Sequence, residues 1–309
     1  MNPGNDTQKG LWYALAAFAA WGFFPAYLKT LQHVPALELL AHRVVWSVAV
    51  CLLLTALGRD WAGLKRALAS RKVMGALLLS TTLITVNWLV FIHAILSKQV
   101  LAASMGYFIN PLVNVLLGVL FLGEKLSTRQ KLAVCLAAAG TLNLAISQGN
   151  LPWISLSLPI LFGFYGLLRK TVAVEAVHGL LIETTLISPV ALGYIIYLWA
   201  VGAGSFLVLG WGTDLLLLTS GLATTLPLVW FTAGARRLHY STIGLIQYLA
   251  PSIHFILGVF VYGEPFGTAH LVTFACIWAG LAVFALDNWG QARAARNLAQ
   301  REKGRKNPA

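Results

Sequence analysis

The sequence predicts an all-α integral membrane protein of ten transmembrane helices, arranged as two inverted five-helix repeats. Three observations carry that expectation. Of 309 residues, 58% are hydrophobic and only 10% charged, a balance foreign to a water-soluble globular domain of this size. The apolar residues fall into ten runs, each near the roughly 20 residues a helix needs to cross a hydrocarbon core about 30 Å thick. Finally, SMGYFINPLVNVLLGVLFLGE at 104–124 returns in altered form as GLIQYLAPSIHFILGVFVYGE at 244–264. Pro111, Gly118, Val119, Gly123 and Glu124 reappear as Pro251, Gly258, Val259, Gly263 and Glu264, each 140 positions later.

In chain order the runs are 11–31, 38–57, 73–96, 100–122, 130–148, 151–172, 178–200, 214–235, 241–262 and 269–287. The first continues through Trp21 and Pro25 to Lys29, too long for a cleaved signal segment, so it reads as an uncleaved span. Pro25, Pro111, Pro159, Pro189, Pro227 and Pro251 fall inside spans, where neighbouring helices can satisfy the carbonyls they free; each is a candidate kink. With the N-terminus inside, nineteen of the 22 Lys and Arg residues lie on the inner side. Only Lys29 and Lys98 lie outside and Arg43 lies within a span, so the charge bias places both termini in the cytoplasm. Removing or adding one span would scramble that bias.

The repeat extends beyond the opening stretch. Residues 87–94 run beside 227–234, with Phe91 matching Phe231, and Gly22, Phe23, Lys29 and Thr30 match Gly163, Phe164, Lys170 and Thr171 at an offset of 141. Two five-span units follow, 10–148 and 151–287, with a basic tail over 288–309. Because five is odd, the second unit enters the membrane from the opposite side, a geometry found mainly in carriers.

The net charge of +12 reflects this topology, together with attraction of the tail to anionic lipid headgroups. The tail, with QARAARNLAQREKGRK, is expected on the inner membrane surface or disordered. No folded domain remains to read a nucleic acid. Cys51, Cys135 and Cys276 lie in apolar runs and read as small packing residues rather than a disulfide framework. His42, His93 and His254 are scattered over three spans without a ligand pair at helical spacing, so no metal and no cofactor is expected.

Residues that could face a solute are polar, aromatic or charged side chains inside spans. Tyr107, Asn110, Pro111, Asn114 and Gly118 recur at spacings of three and four, hence along one helix face. The second copy presents Gln247, Pro251, His254 and Gly258 on the matching face. Such stripes face one another, other helices or a wet cavity. Arg43 is the one basic residue well inside a span, and a charge there is costly enough to need a reason. It could snorkel outward, pair with Glu38 or the backbone, or present a cation to a solute. Glu183, its counterpart in the seventh span, pairs with Arg169, Lys170 or His178, or couples transport to protons. Asn87 and the deeper aromatics Trp21, Trp88 and Trp230 complete the cavity candidates. Pro25, Pro111, Gly118, Pro251 and Gly258 are expected at hinges or close packing points, and the Gly-Glu pairs at 123–124 and 263–264 as groups that fix helix ends and loops.

Together these residues carry a resemblance. Ten spans in two halves, AAWGFFPAYLK at 19–29 and the P-x6-G-x4-GE ending of both halves resemble the EamA family of the drug/metabolite transporter superfamily. ELLAHRVVWS at 38–47, NWLVFIHA at 87–94, SMGYFINPLVNVLLG at 104–118, GFYGLLRK at 163–170 and CIWAGLAVFALD at 276–287 resemble its RarD branch, whose members are named chloramphenicol-sensitive proteins. The resemblance implies a bacterial inner-membrane secondary carrier, without ATP-binding apparatus, that moves amino acids, other metabolites or drugs outward. It supplies no catalytic motif. The expected function is therefore export of a small-molecule solute by alternating access. An intramembrane enzyme would need a nucleophile with a base or clustered metal ligands, and the scattered hydroxyls do not provide them. An intramembrane enzyme acting on a lipid-borne substrate and a passive channel are the alternatives, the channel separable by saturable counterflow.

Overall fold

Lipid offers the backbone no hydrogen-bond partner, so apolar runs of this length become helices. The computed structural model describes residues 3–123, 126–149, 151–172, 174–235, 237–238 and 246–306, and has no strand among them. The helices are α1 (Pro3–Thr30), α2 (Ala36–Gly58), α3 (Trp61–Ala69), α4 (Arg71–Leu96), α5 (Val100–Leu122) and α6 (Thr128–Gln148). There follow α7 (Trp153–Thr171), α8 (Ala176–Ala200), α9 (Trp211–Ala235), α10 (Leu249–Ile256), which runs into a π turn at Leu257–Val261, and α11 (Thr268–Lys306).

Eight of these helices are long and apolar enough to cross a membrane: α1, α2, α4, α5, α6, α8, α9 and α11. Two shorter apolar stretches, Trp153–Arg169 of α7 and Leu249–Val261 of α10 with its π turn, stand where the sixth and ninth spans are expected. The first residues of the expected ninth span, 241–245, lie outside the described residues, as does Glu124. Large apolar side chains such as Leu120, Trp199 and Phe260 are exposed, as on a surface that faces lipid.

One element was not expected from the sequence. Nine residues between the second and third spans form α3, a surface helix too short to register as a run. Asp60 caps it by accepting from the Gly63 N–H at 3.1 Å, Ala67 is buried beside Leu77 and Ile182, and Lys65 and Arg66 stay exposed. The basic tail is helical in continuation of α11 as far as Lys306. The intramembrane prolines at 25, 111, 159, 189 and 227 lie inside continuous helices, while Pro251 sits in the first turn of α10, where a missing N–H breaks no helical bond.

The pairing of helices is reciprocal. The helix α2 packs on α8 and α6 on α11; α1 lies on α10 as α5 lies on α7; α1 meets α9 as α4 meets α7; and α2 meets α9 as α4 meets α8. Two glycines set the closest approach of α6 to α11. A Cβ on Gly140 would lie 3.0 Å from the Thr273 carbonyl oxygen, and one on Gly280 would lie 2.8 Å from that of Ala133, so any larger residue would have to push backbone aside.

Two carboxylates tie loops to helices. Glu264, 8% exposed, accepts from the N–H groups of Val100 and Leu101 at 2.7 Å each, satisfying two of the four amide donors that a helix N-terminus leaves unpaired. Gly258 makes room for it, since a Cβ there would meet the Leu101 nitrogen at 3.2 Å. At the start of α2, buried Glu38 accepts from the backbone N–H and hydroxyl of Ser205, at 2.6 and 2.8 Å.

Candidate functional site

A cluster of polar and aromatic side chains forms where α1, α2, α4, α5, α9 and α10 converge. Arg43 of α2 is 6% exposed. Its Nε donates to the Thr224 hydroxyl on α9 at 2.7 Å, and Thr224 in turn donates to the Ser220 carbonyl at 2.8 Å. The guanidinium carbon lies 4.3 Å from the centre of the Trp88 ring on α4 and 4.8 Å from that of Phe24 on α1, so two ring faces partly replace the water the cation has lost. Nη1 is buried without a hydrogen-bond partner. Among the described residues no carboxylate lies within ion-pair distance of Arg43. Glu38, the partner sequence reasoning offered it, is occupied by Ser205. The polar groups within its electrostatic reach are the Tyr107 and Tyr27 hydroxyls, and Tyr27 donates to the Leu216 carbonyl.

The aromatic wall continues from Phe24 to Phe91 with nearly parallel rings 6.2 Å apart. Phe91 then meets Tyr107 at 5.7 Å and His254 at 5.6 Å, and the Tyr107 and His254 rings lie 5.8 Å apart. Of the two polar stripes read from the sequence, Tyr107 and His254 are thus brought together. His254 lies 3.0 Å through Nε2 from the Trp21 carbonyl oxygen. A carbonyl only accepts, so Nε2 carries the proton; in the neutral ring Nδ1, buried without a partner, is then an acceptor. The side-chain oxygen of Asn110, on the next turn from Tyr107, is also buried without a partner. Buried polar atoms without partners are uncommon and ask for an explanation.

The remaining residues singled out from sequence are placed as follows. Asn87 donates to the Leu158 carbonyl at 3.0 Å and so joins α4 to α7. Trp21 packs edge-on against Phe18 at 5.4 Å. Trp230 is half-buried on α9, Gln247 sits in the turn before α10, and Asn114 is exposed beside Gly163. Pro25 and Pro111 are buried inside α1 and α5. The Gly118 carbonyl accepts from the Gly123 N–H that ends α5, and the Pro251 carbonyl accepts from the Ser104 hydroxyl at 2.8 Å. Phe24, Tyr27 and Thr224 were missed; each is an ordinary residue of an apolar run, and only its contact with Arg43 distinguishes it.

Glu183 organises a second cluster. Buried on α8, it accepts from the Ser80 hydroxyl of α4 at 2.6 Å and from Tyr165 of α7 at 3.3 Å, with Arg169 3.8 Å away. Of the partners expected for it, Arg169 is found, whereas His178 turns toward Asp60 and Glu175; the side chain of Lys170 lies outside the described residues. Arg43 and Glu183 each bond a hydroxyl on a helix from the other half of the chain: Arg43 to Thr224, and Glu183 to Ser80.

These features define a multi-pass helical membrane protein. The EamA-like transporter family matches residues 8–146. Protein RarD of Escherichia coli K12 is 46% identical over 285 residues, covering 91% of this chain and 95% of that protein. A Vibrio cholerae protein described as a transporter is 44% identical over 291 residues, covering 94% and 96%. The chain belongs to the EamA family of the drug/metabolite transporter superfamily, in its RarD branch. A crystal structure with 18% identity shares the fold at a TM-score of 0.58, over 89% of this chain and 96% of the other.

Proposed function

We propose that the chain is a secondary carrier of the bacterial inner membrane that exports small metabolites, amino acids or amphipathic drugs. The two units, 10–148 and 151–287, rock around the Arg43 cluster to open it to either side in turn. The observation that carries this reading is Arg43 itself, a buried cation held against two ring faces, with Nη1 unpaired and, among the described residues, no carboxylate within ion-pair distance. A solute with an anionic or strongly accepting group completes Arg43, and one with donor groups completes His254 Nδ1 and Asn110 Oδ1. An amino acid or a hydroxylated amphipathic compound offers both.

Support for the inverted repeat comes from side chains as well as helix pairing. A Cβ on Gly22 would meet Ile253 at 2.6 Å, and one on Gly163 would meet Val113 at 3.2 Å. Ile253 and Val113 are 140 positions apart, so matched glycines seat matched helices. With ten spans, both termini lie in the cytoplasm and the tail lies beside anionic headgroups of the inner leaflet.

The test is counterflow of labelled amino acids and chloramphenicol into liposomes carrying the purified protein. Saturable, protein-dependent exchange of at least one solute, lost in Arg43→Ala, is expected. Absence of flux across a broad panel would count heavily against a carrier, and non-saturable flux would point to a channel.

A further inference from the structure

A further group of side chains, near Arg169 of the Glu183 cluster but outside it, has no part in the transport reading. Asp60 ends the turn after α2, Glu175 is the residue before α8, and His178 lies in the first turn of α8. One oxygen of each carboxylate and the Nδ1 of His178 lie within 4.8 Å of one another. Nδ1 is 3.8 Å from Asp60 Oδ2 and 3.8 Å from Glu175 Oε2, too far for a hydrogen bond to either. The histidine is 3% exposed, with its Nδ1 near one oxygen of each carboxylate.

We propose that Asp60, Glu175 and His178 form a site for a divalent transition-metal cation, of which Zn²⁺ is the best chemical match. Imidazole nitrogen with carboxylate oxygen is a ligand set that zinc accepts, at about 2.0–2.2 Å, with water completing the tetrahedron. Neighbouring ligand atoms around such an ion stand roughly 3.4 Å apart. The two 3.8 Å separations need to close by only a few tenths of an ångström, which the two partly exposed carboxylates can supply by rotation.

The surroundings orient the ligands. Asp60 uses its other oxygen, Oδ1, to accept from the Gly63 N–H at 3.1 Å, which aims Oδ2 at the histidine. Glu175 and His178 are three apart at a helix start, the i, i+3 spacing by which helices present a carboxylate and an imidazole to one metal. Gly63 allows the approach, because a Cβ there would lie 2.8 Å from Asp60 Oδ2 and 2.9 Å from the His178 ring. A bound ion would clasp the α2–α3 turn to the start of α8. The inference does not depend on any transport activity.

The experiment is calorimetric titration of the full chain in detergent micelles, stripped with chelator, using ZnCl2 with MgCl2 as comparator. One saturable Zn²⁺ per chain is expected, and His178→Gln should weaken it tenfold or more. Asp60→Asn should do the same while leaving α3 capped, because the asparagine carbonyl still accepts from Gly63; unchanged gel-filtration behaviour of this variant separates ligand loss from misfolding. Co²⁺ in place of Zn²⁺ should give a visible d–d spectrum without a thiolate charge-transfer band, setting the site apart from Cys51, Cys135 and Cys276. No binding, equal affinity in both variants, or a thiolate band would overturn the proposal.

Discussion

Replacing Glu264 with alanine removes both acceptors from the start of α5. The carboxylate makes two charge-assisted bonds of 2.7 Å to backbone N–H groups and is nearly buried, so little water stands ready to replace it. Bonds of this kind contribute about 1.5–3 kcal/mol each, and their joint loss should lower stability by about 3–5 kcal/mol. Glu264→Gln keeps one carbonyl acceptor and turns an NH2 toward the other amide, so it should fall between parent and alanine. Reversible unfolding in mixed detergent micelles gives the free energies, and hydrogen exchange at Val100 and Leu101 should accelerate in step. An alanine variant within about 0.5 kcal/mol of the parent, the range of an ordinary surface substitution, would refute the reasoning.

Three further outcomes are expected. Arg43→Ala should abolish counterflow with expression and folding retained, and Arg43→Lys should restore it only in part, since an ammonium cannot both stack on Trp88 and reach Thr224 with a planar fork; unchanged transport in Arg43→Ala would assign the residue a structural role. Glu183→Gln should remove flux driven by a pH gradient while sparing solute exchange, and retained proton-driven flux would end the coupling idea. Gly280→Val should destabilise the α6–α11 pair by about 1–3 kcal/mol, the usual cost of overpacking, measured by the same unfolding assay.

Much of the fold was legible because spanning a membrane imposes length and composition on every segment, as in the runs that became α2, α4, α5 and α8. The surface helix α3 was not, since nine residues with a polar face leave no mark beside spans of twenty. Within the site, Arg43 announced itself as a charge among apolar residues, and Tyr107 and His254 through helical spacing in two copies of one stretch. Thr224 could not be found, because a hydroxyl in an apolar helix gains meaning only from a partner 181 positions away. The Asp60–Glu175–His178 group was missed for the same reason. The histidines weighed for metal binding were His42, His93 and His254, while His178 opens the seventh run and finds Asp60 only through tertiary packing.

The bonds from Arg43 to Thr224 and from Ser80 to Glu183 also bear on how the chain is made. When α2 leaves the ribosome, Arg43 enters the membrane with its hydroxyl partner still seven helices away, and Ser80 waits likewise for Glu183. The helices up to α6 on their own would hold Arg43 without its hydroxyl partner, and those from α7 onward would hold Glu183 beside Tyr165 and Arg169 but without Ser80. Neither is equipped to mature alone, so final docking has to await synthesis of nearly the whole polypeptide, and splitting the gene between α6 and α7 should yield fragments that survive only when produced together.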